Sequence, residues 1–212
     1  MYKRQVKLGG QDTREVQARS LRREIGVVPQ DTVLFNDTIY YNIAYGKEGG
    51  EGEVTEAQVH EAARAAAIHG PVMTMKDGYQ TKVGERGLKL SGGEKQRVAL
   101  ARAFLKGAGV VLMDEATSAL DTKTEAGIMD TLDNLMSGRT TILIAHRLST
   151  AMHCDKIAVL EGGKIVEQGS HHELLAKGGK YKEMWDAQAR GARGGGDEPD
   201  NEIDTSADVV LK

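Results

Sequence analysis

The run Val110-Val111-Leu112-Met113 is apolar at every position and stops abruptly at Asp114-Glu115. It does not alternate, so it is not a strand with one wet face; it reads as a strand of a parallel sheet covered on both faces. The same form recurs at residues 25–28, Ile-Gly-Val-Val stopped by Pro29, and at residues 140–145, which run into His146. Helical patterns separate the three. Residues 55–68 open with Thr55 and Gln58 in capping-box spacing and continue Ala-rich, and residues 95–104 follow Ser91 and Glu94 with Val98, Leu100, Ala101 and Leu105 at helical spacing. Thr122 and Glu125 start a third helix that reaches Met136. Strand and helix thus alternate from Ile25 to His146, which defines an α/β class with a largely parallel sheet.

Further along, residues 156–160 and 164–167 are strand-like and joined by Glu161-Gly162-Gly163, a pair of glycines suited to a tight hairpin. Ser170 and Glu173 cap a short helix to Ala176, and the Gly/Glu-rich residues 46–53 read as a solvent loop. At 212 residues the chain has the length of one domain. Its formal charge of -3 is uneven: six acids and one base after Gly194 give that segment -5 and leave +2 for residues 1–193. The acidity belongs to the tail, which the composition past Arg190 predicts to be disordered. No basic stripe suggests nucleic acid, so no nucleic-acid partner is expected. A single cysteine, Cys154, forms no internal disulfide and is read as a buried bystander, and no run approaches the ~18 apolar residues of a membrane span.

In an open parallel sheet, ligands sit at the carboxyl ends of the strands. Here three strands run out into polar residues there: Gln30, Asp114-Glu115 and His146. A carboxylate at such an end holds Mg2+ through water, and a neighbouring one polarises an attacking water in phosphoryl transfer. A strand stop followed by a helix cap would explain Asp114-Glu115 equally well. Leu90-Ser91-Gly92-Gly93-Glu94-Lys95-Gln96 also has two readings. Ser91 and Glu94 satisfy a capping box, but two glycines in the first turn cost roughly 1 kcal/mol each against Ala. A cap does not require them, whereas a phosphate approaching bare backbone N–H groups does. His171-His172 lacks a second ligand pair for a metal, and Met73, Met75 and Met113 fit core packing better than copper binding.

Residues 90–96 resemble the signature motif of the ATP-binding-cassette (ABC) ATPases, and residues 110–115 resemble their Walker B strand with its glutamate. Ser118-Ala119-Leu120-Asp121 is similar to the family's D-loop, His146 to the switch histidine, Gln30 to the Q-loop glutamine and Gly84-Glu85-Arg86-Gly87 to the X-loop of ABC exporters. Residues 28–39 and 145–155 are similar to mitochondrial half-transporters that export a glutathione-linked or iron-sulfur precursor, and to their heavy-metal-tolerance relatives. The resemblance implies a P-loop NTPase-like ABC ATPase domain over residues 1–190, with a helical subdomain at about residues 35–105 and a tail at 191–212. It implies ATP and Mg2+ as cofactors, Glu115 and His146 as catalytic residues, and Asp114 with Gln30 at the metal. Gln30, Ser91, Gly92, Gly93, Gln96 and Asp121 would serve the nucleotide. The partners implied are a second nucleotide-binding domain, head to tail, and the transmembrane domain of a half-transporter. The implied location is the matrix side of the mitochondrial inner membrane.

One departure matters more than the matches. A phosphate loop reads G-x-x-x-x-G-K-[S/T], and no segment fits: Gly163-Lys164 precedes Ile165, and Gly179-Lys180 precedes Tyr181. By resemblance, the N-terminal strands and Walker A loop are missing, and the chain reads as the C-terminal portion of such a domain from an ATP-driven exporter. A homodimer of it should not turn over ATP. Two other readings remain open: an incomplete partner that lends its signature motif to an intact half-transporter, and a soluble ABC ATPase without transport function, which the exporter-like residues 84–86 and 145–148 disfavour.

Overall fold

The computed structural model describes residues 5–47, 53–115, 122–145 and 147–193. A two-residue-per-strand hairpin, β1 (Lys7–Leu8) and β2 (Gln11–Asp12), opens the chain. Its buried Asp12 is held by Arg14, whose guanidinium keeps the carboxyl well below the usual carboxylate range. The short helix α1 (Ala18–Glu24) then leads into β3 (Ile25–Val28).

The middle of the chain is helical: α2 (Ile39–Ala44), α3 (Glu56–Ala65), α4 (His69–Thr74) and α5 (Gly92–Lys106). Both predicted capping boxes here form, Thr55 with Gln58 on α3 and Ser91 with Glu94 on α5. α3 stops at Ala65, short of the predicted Ile68, because Ala67 takes a left-handed φ of 52°. The Ile68 N–H then bonds Ala63 O and the Ala67 N–H bonds Arg64 O, a Schellman ending built on alanine where glycine is usual.

β4 (Val110–Asp114), α6 (Thr122–Met136), β5 (Thr140–Ile144) and α7 (Leu148–Ala151) follow. β3, β4 and β5 pair in that order, parallel throughout, with Val28 opposite Met113, Met113 opposite Leu143 and Asp114 opposite Ile144. Long crossovers between parallel neighbours are what the alternating pattern required. β6 (Ile157–Glu161) and β7 (Lys164–Gly169) form a separate antiparallel ladder. Gly162 and Gly163 turn it with φ of 57° and 73°, the double left-handed conformation of a tight hairpin.

The chain continues into α8 (His171–Lys177), with its predicted Ser170–Glu173 box, and α9 (Lys180–Arg193), which carries helix past Arg190 where the composition predicted none. Tyr181 of α9 is wholly buried with its hydroxyl 2.8 Å from His171 Nδ1. Burial, with a smaller push from Cys154, raises the Tyr181 phenol to about 12, and burial lowers His171. His171 is therefore a packing residue while His172 is exposed, and no group of three metal-ligating side chains exists among the described residues. Met113 is core as predicted, whereas Met73 is exposed.

The sheet departs from its prediction in one respect. Gly26, Val28, Val111, Met113, Thr141 and Leu143 face the core, but the opposite face is covered only in part, leaving Val27 57% and Ile142 37% exposed. The sequence shows strands suited to two-sided burial, and the described residues bury one side fully.

One buried network anchors the helical region. Arg102 of α5 donates to Asn42 O (2.7 Å), Asn42 Oδ1 (2.8 Å) and Val33 O (3.0 Å). Asn42, wholly buried, accepts the Phe35 N–H and donates to Phe35 O and Thr38 O. Asn42→Ala strands these buried groups and should cost about 3 kcal/mol. The expected readout is a lower urea midpoint at unchanged m-value.

Candidate active site at the carboxyl edge of the sheet

The parallel register brings the ends of β3, β4 and β5 to one edge, so Gln30, Asp114 and Glu115 emerge together. Gln30 Nε2 donates to Glu115 Oε2 at 2.8 Å across 85 residues of sequence. Asp114, the last residue of β4, is exposed beside them. His146 and Asp121, with the rest of residues 116–121, lie outside the described residues.

Glu115 is held in an unusual way. Its backbone N–H extends the sheet ladder to Ile144 O at 3.0 Å while its φ is 45°. A left-handed conformation at a residue with a Cβ costs about 1 kcal/mol, and such strain gathers at functional positions. The Glu115 side chain meets Gln30 at the rim.

Asp114, Gln30 and Glu115 offer hard oxygen donors of the kind Mg2+ takes. With no three-ligand cluster among the described residues, such an ion would draw most of its coordination from water and phosphate oxygens, its usual preference. The two Gly-Lys pairs of the sequence lie elsewhere: Gly163 is in the β6–β7 turn and Gly179 precedes α9.

The glycine-opened helix forms as the capping box predicts. Ser91 Oγ accepts the Glu94 N–H at 3.3 Å, and Glu94 Oε2 accepts the Ser91 N–H and hydroxyl, each at 2.8 Å. Ser91 and Gly92 are exposed at the free end of α5. Gln96, grouped with them in sequence, is instead turned inward and 5% exposed. Its Oε1 accepts from the Thr32 hydroxyl at 3.4 Å, while its Nε2 has no hydrogen-bond partner among the described residues. An unpartnered buried amide group costs about 1–3 kcal/mol.

The 84–87 turn packs against the loop after Gln30. Gly84 has φ 105° and its missing Cβ would lie 2.4 Å from Asn36 Oδ1, an atom that also accepts the Arg86 N–H. A cleft of about 590 Å³ lies between Val27-Pro29 and α5 beside Arg102 and Lys106.

A family model described as ABC transporter matches residues 2–118. The chain belongs to the ABC transporter family. It is 62% identical over 183 residues to ABC transporter B family member 24, mitochondrial, of Arabidopsis thaliana, covering 86% of this chain and 26% of that protein. It is 55% identical to human ATP-binding cassette sub-family B member 6 (86% and 21% covered) and 55% identical to the heavy metal tolerance protein of Schizosaccharomyces pombe (88% and 22%). A solved bacterial Atm1-family ABC exporter with ATP bound superposes with a TM-score of 0.80 at 54% identity, covering 87% of this chain and 32% of that one. The chain therefore spans about a quarter of the length of these curated relatives. Among its described residues, no helix of this ABC protein is long and apolar enough to cross a membrane.

Three side chains that tie the loops near this edge carried no sequence signal: Thr32 and Arg102, which hold residues 32–33, and Gln188. Arg147, at the start of α7, supplies no side-chain cap, and Gln188 Oε1 of α9 accepts the Leu148 N–H there at 3.0 Å, forty residues away. Gln188→Ala should loosen that turn by about 1 kcal/mol, read as roughly fivefold faster exchange at the Leu148 amide with β4 unchanged.

Proposed function

We propose that this chain is part of the nucleotide-binding domain of an ABC half-transporter, which couples ATP hydrolysis to export. The observation that carries the reading is the 2.8 Å bond between Gln30 and Glu115, which joins the ends of two parallel strands at the edge where such sheets bind ligands. The domain would span residues 1–190, with its helical subdomain at about 35–105 and a tail at 191–212. The exported compound would be a glutathione-linked or iron-sulfur precursor, and the location the matrix side of the mitochondrial inner membrane. Similarity to a mitochondrial plant relative and to heavy-metal-tolerance proteins supports these finer points. Working partners would be a second nucleotide-binding domain, head to tail, and a transmembrane domain.

Bound Mg2+-ATP would supply the reacting phosphoryl group and the cation that neutralises its charge. Asp114 would hold the hydrated ion with its exposed carboxylate. Glu115, oriented by the Gln30 amide and by its own left-handed backbone, would take a proton from the attacking water. His146 would fix the water and the terminal phosphate, and Gln30 would follow occupancy of the site and pass it into residues 31–38. Ser91, Gly92 and Gly93 would present backbone N–H groups to the nucleotide of the opposite protomer, with Asp121 communicating across the interface. In the half-transporter that carries this sequence, Glu115→Gln should lower kcat at least about 100-fold while ATP still binds. Undiminished hydrolysis would remove Glu115 as the base.

A second reading, a partner that only lends its signature helix, is favoured by one feature: the exposed, fully capped start of α5. On this reading the chain stimulates ATP hydrolysis by an added intact nucleotide-binding domain, and Ser91→Arg abolishes the stimulation. An unchanged ATPase rate on mixing rejects it.

A further inference from the structure

Residues 29–38 join β3 to α2 without regular structure, yet they are gripped at three successive points. Gln30 reaches Glu115 at the end of β4, the Thr32 hydroxyl donates to Gln96 on α5, and Val33 O accepts from Arg102, also on α5. The first grip belongs to the sheet and its candidate site, and the other two belong to the helical region. The chain thus passes from one body to the other within two residues, between Gln30 and Thr32.

The middle grip is the unusual one. Gln96 is nine-tenths buried and its amide is only half satisfied. Exchanging the amide O and N does not cure this, because the Thr32 hydroxyl can accept as well as donate; whichever atom faces it, the other stays unpaired. At 3.4 Å the existing bond is long, so a displacement of the loop by a few tenths of an ångström makes or breaks it. Gln96 also lies in α5 little more than one turn from Ser91, in a stretch closed by the capping box. A pull on Gln96 therefore tilts Ser91, Gly92 and Gly93 with it.

We infer that Gln96 is a positioning residue: its amide senses where residues 30–33 lie and transmits that position to the first turn of α5 in the same protomer. The inference rests on the reading above, in which Gln30 with Glu115 and Ser91 with its glycines serve two different nucleotides. Gln96 then forms an internal route between the two nucleotide-facing surfaces, and its place is behind the nucleotide rather than on it.

The test compares amide exchange in the full 212-residue chain with Thr32→Val, which keeps the shape and loses the hydroxyl, Thr32→Ser, which keeps the hydroxyl, Gln96→Leu, and the Thr32→Val/Gln96→Leu pair. Thr32→Val and Gln96→Leu should each speed exchange about fivefold at both 31–33 and 93–95 while β6 and β7 stay unchanged, and the double variant should add nothing. Thr32→Ser should match the parent chain. Additive effects, or Thr32→Ser behaving as Thr32→Val, overturn the inference; if Gln96→Leu unfolds the chain, the two Thr32 variants decide it alone. A second arm adds an intact nucleotide-binding domain and Mg2+-ATP. There Thr32→Val should raise the KM for ATP about fivefold with kcat held within about twofold, and an unchanged KM in a stimulated mixture overturns the relay. If the parent chain gives no stimulation, the signature-lending reading fails, while the exchange experiment still decides the Thr32–Gln96 link.

Discussion

Parallel pairing of β3 with β4 is the constraint on which the rest depends. It joins segments that lie more than 80 residues apart, and it sets Val28 opposite Met113. Because side chains alternate faces along a strand, a slip of β3 by one residue would send Val28 out of the core and carry Gln30 away from Glu115. The helices between the two strands fold as a crossover that must return to this register, so core packing and site assembly are set by the same ladder of hydrogen bonds.

Two kinds of polar contact then divide the work. The Arg102–Asn42 network is centred on the buried Asn42, charge-assisted and made of several short bonds, so it fixes α2 and the loop before it to α5 as one body. The Gln30–Glu115 bond is exposed. Water competes for it at little cost, which suits a contact that has to respond to a ligand. Between them lies the Thr32–Gln96 bond, part-buried and, at 3.4 Å, longer than either.

The sheet carries more apolar surface than the described residues bury. Val27, Leu112 and Ile142 lie side by side across β3, β4 and β5 on the face away from the core, and two of them are substantially exposed. Scattered exposed apolar residues need no explanation, but a row across three adjacent strands is a surface suited to being covered. The relatives it matches are about four to five times as long as the segment it shares with them.

Many local features were legible in the sequence. The capping boxes at Thr55, Ser91 and Ser170, the Gly162-Gly163 turn and the three parallel strands depend on residues a few positions apart, and each formed as its spacing predicted. The polar residues at the strand ends were legible for the same reason, since a buried strand must stop where its apolar run does. What the spacing of residues could not convey was long-range geometry. The left-handed turns at Ala67 and Glu115 fall on residues with no glycine signal, the cover of the sheet depends on what packs against it, and Gln96 sits in a signature-like stretch yet faces Thr32, sixty-four residues earlier. The sequence by itself determined which segments are strands and helices and which chemistry stands at their ends, because those depend on neighbouring residues. Only the tertiary structure decided which amide meets which carboxylate and which side chain is buried, because those contacts exist only once distant segments are packed together.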